Sequence, residues 1–216
     1  MNSSSFSGVL SDQQILDEMT RDNIFIHPYQ EKNLSNSSYD VCLGPYYYRA
    51  KKENGLFLPW DEESVREYWG ECQYANTIQD EVDARRFKLA IGTQYILLEP
   101  GELILGHTLE YIGGKNHICS MMKCRSSLGR VGISVCKDAA FGNIGYVNRW
   151  TMEISNFSSA TVPLVVGSRV AQILFFYSGQ VRKSYENGGS YQNNYKTTDE
   201  LIKNWCYTDM LPKLNL

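Results

Sequence analysis

Short apolar segments bounded by turn-forming residues dominate the chain from residue 95 to residue 176. Segments of four to eight residues that are rich in β-branched and aromatic side chains are typical of strands, and a Pro100-Gly101 turn separates the first two. Strands this short and this closely spaced predict an all-β jelly roll or barrel. The predicted strands are 95–98, 103–105, 118–122, 132–135, 150–157, 161–166 and 169–176.

Capping patterns predict a few short helices at the periphery of this β fold. Ser11 stands three residues before Gln14 and ahead of an apolar stripe, which predicts a capping box and a helix start. The charged stretch 61–71 predicts a second helix. A third begins at Thr197, with Glu200 as its capping partner.

The chain organisation is that of one domain with two less regular stretches. Residues 1–216 are predicted to form a single domain. Residues 49–88 are polar, charged and irregular, so we interpret them as an insertion within that domain. Residues 182–196 have the glycine-rich, polar composition of a mobile C-terminal lid.

Composition and charge exclude several classes of protein. The net charge is -3 and no block of like charges occurs, which argues against a nucleic-acid-binding face. No apolar run approaches a membrane span, and the first five residues lack the features of a signal peptide. We therefore expect a cytoplasmic protein with neither a nucleic-acid nor a membrane partner.

The distribution of cysteine and histidine argues against zinc. The 6 cysteines and 3 histidines include no Cys-x-x-Cys or His-x-Glu pair, the close spacing that such sites use. The cysteines are scattered through apolar stretches, which indicates buried, reduced thiols rather than disulfides. We expect no zinc and no metal site built from protein ligands.

Residues 125–130, Arg-Ser-Ser-Leu-Gly-Arg, follow a predicted strand and combine two hydroxyls with two guanidiniums. Backbone N–H groups at a helical turn and paired guanidiniums can bind phosphate oxygens. The same residues also suit an exposed turn whose serines cap a short helix. Spacing alone does not choose between a phosphate site and a turn.

Glu153 lies on the predicted strand 150–157, where the strand period places it on the face opposite Trp150 and Met152. If that face meets solvent, Glu153 is an ordinary surface carboxylate. If the face lines a cleft between subunits, desolvation raises the pKa of Glu153 and makes it a proton shuttle. Both interpretations stay open at this point.

Two further stretches offer candidate ligand contacts. The glycine-punctuated loop 139–146 is typical of a bulge or turn before a core strand. Tyr185 and Tyr191 lie in a polar tail with no core to join. A lid that folds over a bound ligand would use such residues.

An ordered set of motifs runs through nearly the whole chain, apart from residues 49–88 and the last twenty residues. The motifs are Gly8–Ile15, Asn33-Leu34 with Ser37–Gly44, Leu98–Glu102, Arg125–Arg130, Thr151–Glu153 and Gly167–Gln172. This set resembles the dCTP deaminases of the dUTPase-like superfamily. The resemblance implies a distorted jelly roll (the dUTPase-like β-clip) that forms a homotrimer, with active sites between subunits. It also implies zinc-independent chemistry on a deoxynucleoside triphosphate bound with Mg²⁺.

The resemblance also assigns roles to individual residues. Glu153 matches the glutamate that moves protons between water and the cytosine ring, while Ser126 and Arg130 match residues that position water and phosphate. Ala139 matches the position whose carbonyl helps to hold the nucleophilic water, and Tyr146 matches an aromatic residue that packs on the deoxyribose. The expected substrate-binding residues are Arg125, Ser127, Phe141, Asn143, Tyr146, Tyr185, Tyr191, Gln192 and Asn194.

Three departures from the family pattern bear on the substrate and the product. Asn143 stands where the superfamily usually has an aspartate, and an amide cannot act as a base. Phe141 replaces a basic residue near the base of the nucleotide, so a 5-substituted dCTP is an alternative substrate. Ser190 replaces a lysine that meets the triphosphate.

The first functional hypothesis is a dCTP deaminase that releases dUTP and ammonia. A second is a dUTPase or a bifunctional dCTP deaminase/dUTPase, against which Asn143 argues. A third is a non-catalytic, nucleotide-sensing trimer, because a fold does not determine an activity.

Overall fold

The computed structural model describes residues 8–51, 55–191 and 197–214, which fold into antiparallel sheets with short peripheral helices. The strands in these residues are β1 (Ile24–His27), β2 (Leu34–Ser35), β3 (Ser38–Cys42), β4 (Tyr46–Arg49), β5 (Gln73–Tyr74), β6 (Asn76–Thr77), β7 (Gln94–Leu98), β8 (Leu103–Gly114), β9 (Ile118–Cys124), β10 (Ile133–Val135), β11 (Phe141–Gly142), β12 (Val147–Asn156), β13 (Val162–Val165) and β14 (Arg169–Tyr177). The helices are α1 (Asp12–Thr20), α2 (Glu62–Trp69), α3 (Glu81–Phe87), α4 (Ser126–Arg130) and α5 (Thr198–Asn204), with 3₁₀ turns at Glu31–Asn33 and Tyr207–Met210.

The sheets have crossed connections, as in a jelly roll. A 6-stranded sheet has the order β10-β12-β8-β4-β5, with β1 also paired to β8. A 5-stranded sheet has the order β11-β9-β14-β3-β2, and a 3-stranded sheet has the order β13-β7-β6. The predicted all-β fold is confirmed, and each predicted strand is present, although the strand predicted at 103–105 continues to Gly114.

The main hydrophobic core lies between the two larger sheets. Met152 and Ile154 of β12 contribute to it from the first sheet, and Ile173 and Phe175 of β14 from the second; all four are fully buried. Because side chains alternate along a strand, burying Met152 and Ile154 turns Glu153 to the outer face of the first sheet. The position of the functional candidate therefore follows from the packing of the core.

Three predicted helices are confirmed, and their caps explain where they begin. The Ser11 hydroxyl accepts a hydrogen bond from the Gln14 backbone at 3.3 Å, and the Gln14 side chain accepts one from the Ser11 backbone at 2.9 Å. Asp61 caps α2 and Thr197 caps α5. The helix α3, which Asp80 caps, was not predicted.

The sequence patterns predicted none of the six strands before residue 90, β1 to β6. All five residues of β3 are buried, including the polar Ser38 and Asp40, so this strand shows no alternation. The strand β8 continues well past its predicted end because its polar residues His107 and Glu110 are buried in the sheet. Alternation identifies strands that are exposed on one face, and these strands are not.

The stretch predicted as an insertion, residues 49–88, is built into the fold. It contains α2, β5, β6 and α3, and Val65 and Trp69 are buried against Leu105 and Met210 in a second hydrophobic cluster. The C-terminal helix buries Leu201 against Tyr111. Residues that follow the lid region are therefore part of the packed structure.

The helices of the described ranges include none that is long and apolar enough to cross a membrane. All 6 cysteines are free. Cys42 and Cys136 are buried, as expected, whereas Cys206 is exposed, contrary to the expectation of buried thiols.

Candidate functional site

A cavity of about 420 Å³ lies on the outer face of the first sheet, beside β12. Its size is within the range of small-molecule sites. One part of its wall comes from the loop 139–146 and the segment 185–191. Another comes from the 49–88 region, through Phe57 and Trp69, and from the C-terminal segment, through Asp209 and Met210. Segments that are distant in sequence therefore meet around one strand.

Glu153 lines this cavity and is half-buried. Its neighbour across the sheet is Leu105, which belongs to the second hydrophobic cluster. Burial in these surroundings raises the pKa of the Glu153 carboxyl above its usual value, although hydrogen bonds from its own backbone and from the Cys136 thiol act in the opposite direction. The face that the sequence left undecided is thus a partly desolvated cavity wall.

Cys136 fixes the strand next to Glu153. Its backbone N–H donates to the Glu153 carbonyl at 3.0 Å, and its thiol packs 3.3 Å from the Met122 sulfur. Burial strongly raises the pKa of the Cys136 thiol. The thiol is therefore protonated at neutral pH and can act as a hydrogen-bond donor to the carboxylate.

The loop 139–146 forms a second wall of the cavity. Ala139, Phe141, Asn143 and Tyr146 all line it. A side chain at Gly142 would collide with the Trp150 ring, so the loop can approach the strand this closely only with glycine at that position. The two interpretations of this loop, as a bulge and as a ligand contact, are therefore compatible.

The tail tyrosines lie on this loop. The Tyr185 backbone donates to the Ile144 carbonyl at 2.8 Å, and the Tyr185 ring meets Tyr146 edge-on with a centroid distance of 5.5 Å. The Tyr191 backbone donates to the Tyr185 hydroxyl at 3.3 Å, and Asn148 donates to the Tyr191 carbonyl at 3.1 Å. The part of the predicted lid that precedes residue 192 thus contacts the cavity. Gln192 and Asn194 lie outside the described residues.

The motif 125–130 does not reach the cavity within one chain. It forms α4, on which Ser126, Ser127 and Arg130 are exposed. Arg125 is 3.5 Å from the buried Asp40, which also pairs with Arg169 at 3.3 Å. The structure of the single chain therefore does not bring these residues to Glu153, and a site shared between subunits stays a prediction.

Comparison with known proteins places these features in a family. A family model described as dCTP deaminase-like matches residues 9–178. The chain belongs to the dCTP deaminase-like family. A protein of Clostridium acetobutylicum named "dCTP deaminase, dUMP-forming" is 32% identical over 86% of this chain and 91% of its own length. A protein of the same name from Hathewaya histolytica is 30% identical over 90% of this chain and 96% of its own length.

A solved structure supports the fold of this family member. The crystal structure of 2'-deoxycytidine 5'-triphosphate deaminase from Agrobacterium tumefaciens matches with a TM-score of 0.51 at 21% identity, over 80% of this chain. The match spans about half of the Agrobacterium chain, 49% of its length. At this identity, the similarity establishes the fold alone.

Sequence reasoning missed several residues of this dCTP deaminase-like cavity. Arg149 lines it from the same strand as Glu153, and Trp69, Asp209 and Met210 line it from other segments. Residue parity could have identified Arg149, because positions four apart on a strand share a face. The other three residues are brought to the cavity by tertiary packing, and no local pattern marks them.

The described residues contain no group of three or more His, Cys, Asp or Glu side chains arranged to hold a metal ion. Within the cavity, the carboxylates are Glu153 and Asp209. Asp209 is 3.3 Å from the Lys213 ammonium, and it accepts a hydrogen bond from the Cys206 backbone at 3.1 Å. The expectations about zinc and magnesium stay predictions.

Proposed function

We propose that the protein catalyses the hydrolytic deamination of dCTP, with Glu153 as the proton shuttle. The observation that carries the proposal is a partly desolvated carboxyl with a raised pKa on the wall of a nucleotide-sized cavity. The relatives that are named dCTP deaminases support dCTP as the substrate.

In the proposed reaction, Glu153 removes a proton from a water molecule as that water attacks C4 of the cytosine, and it passes this proton to N3. Glu153 then takes the proton of the new C4 hydroxyl and delivers it to the amino group, which leaves as ammonia while the C4 carbonyl forms, so that one group acts in turn as base and acid. A raised pKa suits both steps, because the conjugate acid must release its proton at neutral pH and the carboxylate must still accept one. The Cys136 thiol orients the carboxyl.

The proposal assigns supporting roles to other residues. Ala139 holds the water through its carbonyl, and Tyr146 packs on the deoxyribose. Ser126 and Arg130 are contributed by a neighbouring subunit of a homotrimer, in keeping with their exposure on α4. Magnesium enters with the triphosphate, held by phosphate and water oxygens, which this cation prefers, and no protein ligand is assigned to it.

The sequence predicted dUTP as the product, whereas the relatives are named dUMP-forming. We propose that deamination is followed by attack of water on the α-phosphate, which releases dUMP and pyrophosphate. Such an attack is helped by a carboxylate that orients the water. Asn143 cannot supply it, but Asp209 is a carboxylate that lines the same cavity. We assign this role to Asp209.

Product analysis by anion-exchange chromatography tests both steps. We expect dCTP to yield ammonia, dUMP and pyrophosphate, and Asp209→Asn to stop the reaction at dUTP. Asn143→Asp is the matched variant, because it places a carboxylate at the position where the superfamily usually has one, and we expect it to keep dUMP as the product.

Accumulation of dUTP as the end product of the wild type would favour the deaminase without hydrolase activity that Asn143 suggested. Tight binding of dCTP without any turnover would instead favour a nucleotide-sensing protein, and the proposed catalytic function would be wrong.

A further inference from the structure

Arg149 presents a guanidinium that contacts two aromatic rings at the wall of the cavity. Its Cζ atom is 4.8 Å from the centroid of the Tyr111 ring and 4.7 Å from that of the Trp205 ring. Contacts of this kind orient a guanidinium plane and leave its edge available for hydrogen bonds. Two aromatic rings therefore hold the Arg149 guanidinium in position.

The two rings are themselves anchored. The Tyr111 hydroxyl donates to the Ile202 carbonyl at 3.3 Å, and the Trp205 ring is 4.7 Å from the buried His107 ring. Burial lowers the pKa of His107 to about 4, so this imidazole is neutral at physiological pH. His107 does not line the cavity, and of the described residues that do, Arg149 is the one cation.

This cation has no protein counter-ion in the described part of the chain. Its Nε atom is buried and has no hydrogen-bond partner there. Glu110 affects it electrostatically, but the Glu110 carboxylate accepts a hydrogen bond from the Cys42 backbone at 2.9 Å instead. Burial lowers the pKa of Arg149, which is the expected effect of desolvation on a cation. A partly buried charge without a partner carries a desolvation cost, so a ligand that pairs with it binds favourably.

A second unpartnered donor lines the same cavity. The indole Nε1 of Trp69 is also buried without a hydrogen-bond partner among the described residues. Both unsatisfied groups are N–H donors, and neither can accept a hydrogen bond. The chemical complement of this wall is a ligand group that carries several acceptor oxygens and a negative charge.

The spacing along β12 matches a nucleotide. Arg149 and Glu153 are four positions apart, and at about 3.3 Å per residue their Cα atoms are separated by roughly 13 Å. A deoxynucleoside triphosphate is an extended molecule, with the reactive C4 of its base at one end and its phosphates at the other. One end can therefore meet Glu153 while the other meets Arg149.

We infer that the Arg149 guanidinium binds the triphosphate of the nucleotide. The inference rests on the proposed function for the identity of the nucleotide. It adds a phosphate-binding residue that lies on the same strand as the proton shuttle, in the same subunit. Bidentate pairing with phosphate oxygens is an interaction for which a guanidinium is suited.

The test compares Arg149→Gln and Arg149→Lys with the wild type on dCTP, dCMP and deoxycytidine. For Arg149→Gln we expect a roughly 10- to 100-fold loss of kcat/KM on dCTP, mainly through KM, and little change on deoxycytidine. Arg149→Lys should retain part of the activity on dCTP, because it keeps the charge but not the bidentate edge. Arg66→Gln is the control, since Arg66 forms an exposed ion pair with Glu62 at 3.3 Å on α2.

A loss that is equal on dCTP and deoxycytidine, or an unchanged kcat/KM on dCTP, would refute the inference and leave Arg149 as a support for Trp205. Calorimetry with inorganic tripolyphosphate gives a readout that does not depend on turnover. Weaker binding of tripolyphosphate to Arg149→Gln, with the melting temperature of Arg149→Lys unchanged, supports the inference even if the wild type fails to deaminate dCTP. In that case the proposed function fails and the phosphate site stands.

Discussion

Replacing Glu153 with Gln should abolish deamination and at the same time stabilise the protein at pH 8. The amide preserves the shape of the side chain and can still accept a hydrogen bond from the Cys136 thiol, but it cannot carry a proton. General acid–base groups typically contribute about 10²- to 10⁴-fold to a rate, so we expect turnover to fall by that factor. The amide also removes a charge that is partly desolvated in the cavity.

The direction of the stability effect follows from the pKa of Glu153. Burial raises this pKa above the ordinary value of 4.5, which the side chain has in the unfolded chain. Above the raised pKa the carboxyl is ionised in both states, and the folded state bears the cost of desolvating the charge. A pKa that is higher by one corresponds to about 1.4 kcal/mol of folding free energy, and the Glu153→Gln variant does not bear this cost. Below the unfolded pKa the carboxyl is neutral in both states, and this difference in stability disappears.

Turnover and thermal unfolding, each measured between pH 4 and pH 9, test both effects together. For a chain of this size, each kcal/mol added to the free energy of unfolding raises Tm by about 2–4 °C. The wild-type rate should decline as the pH falls through the raised pKa of Glu153. This decline should occur at a higher pH than it would if the catalytic glutamate were exposed and had an ordinary pKa. Glu63→Gln on the exposed surface of α2 is the control. A Glu153→Gln variant that keeps more than a tenth of the turnover, or that is less stable than the wild type at pH 8, would refute the reasoning.

Two further predictions concern the packing that builds the cavity. Gly142→Ala should lower stability by about 1–3 kcal/mol, because its methyl group would collide with the Trp150 ring; Gly55→Ala, which meets no atom within 4 Å, should show no such loss in urea unfolding. Met210→Ala should cost about 2–5 kcal/mol, since the side chain is only 3% exposed in the second cluster. A Met210→Ala variant as stable as the wild type would show that the C-terminal segment does not pack on the cavity in solution.

The match between sequence and structure is uneven for physical reasons. The strands 95–98 and 169–176 were recognised because their apolar residues are grouped and bounded by turns. The strand β3 and the second half of β8 escaped because they bury polar side chains such as Asp40 and Glu110, which the pattern assigns to loops. The polar composition of residues 49–88 similarly hid the two buried residues of α2, Val65 and Trp69, that anchor the region.

What the sequence determined by itself is the set of local rules: strand alternation, helix caps, and the presence of Glu153 on a strand face opposite the core. The resemblance of the motifs to those of dCTP deaminases added the expected role of Glu153 as a proton shuttle. Only the tertiary structure decided that this face is a partly desolvated cavity, because the wall opposite it comes from Trp69 and Met210, which are far away in the chain. The same packing leaves Arg149 against two aromatic rings without a counter-ion among the described residues. Desolvation and charge pairing depend on everything within a few ångströms of a group, and sequence neighbours supply only a small part of that environment.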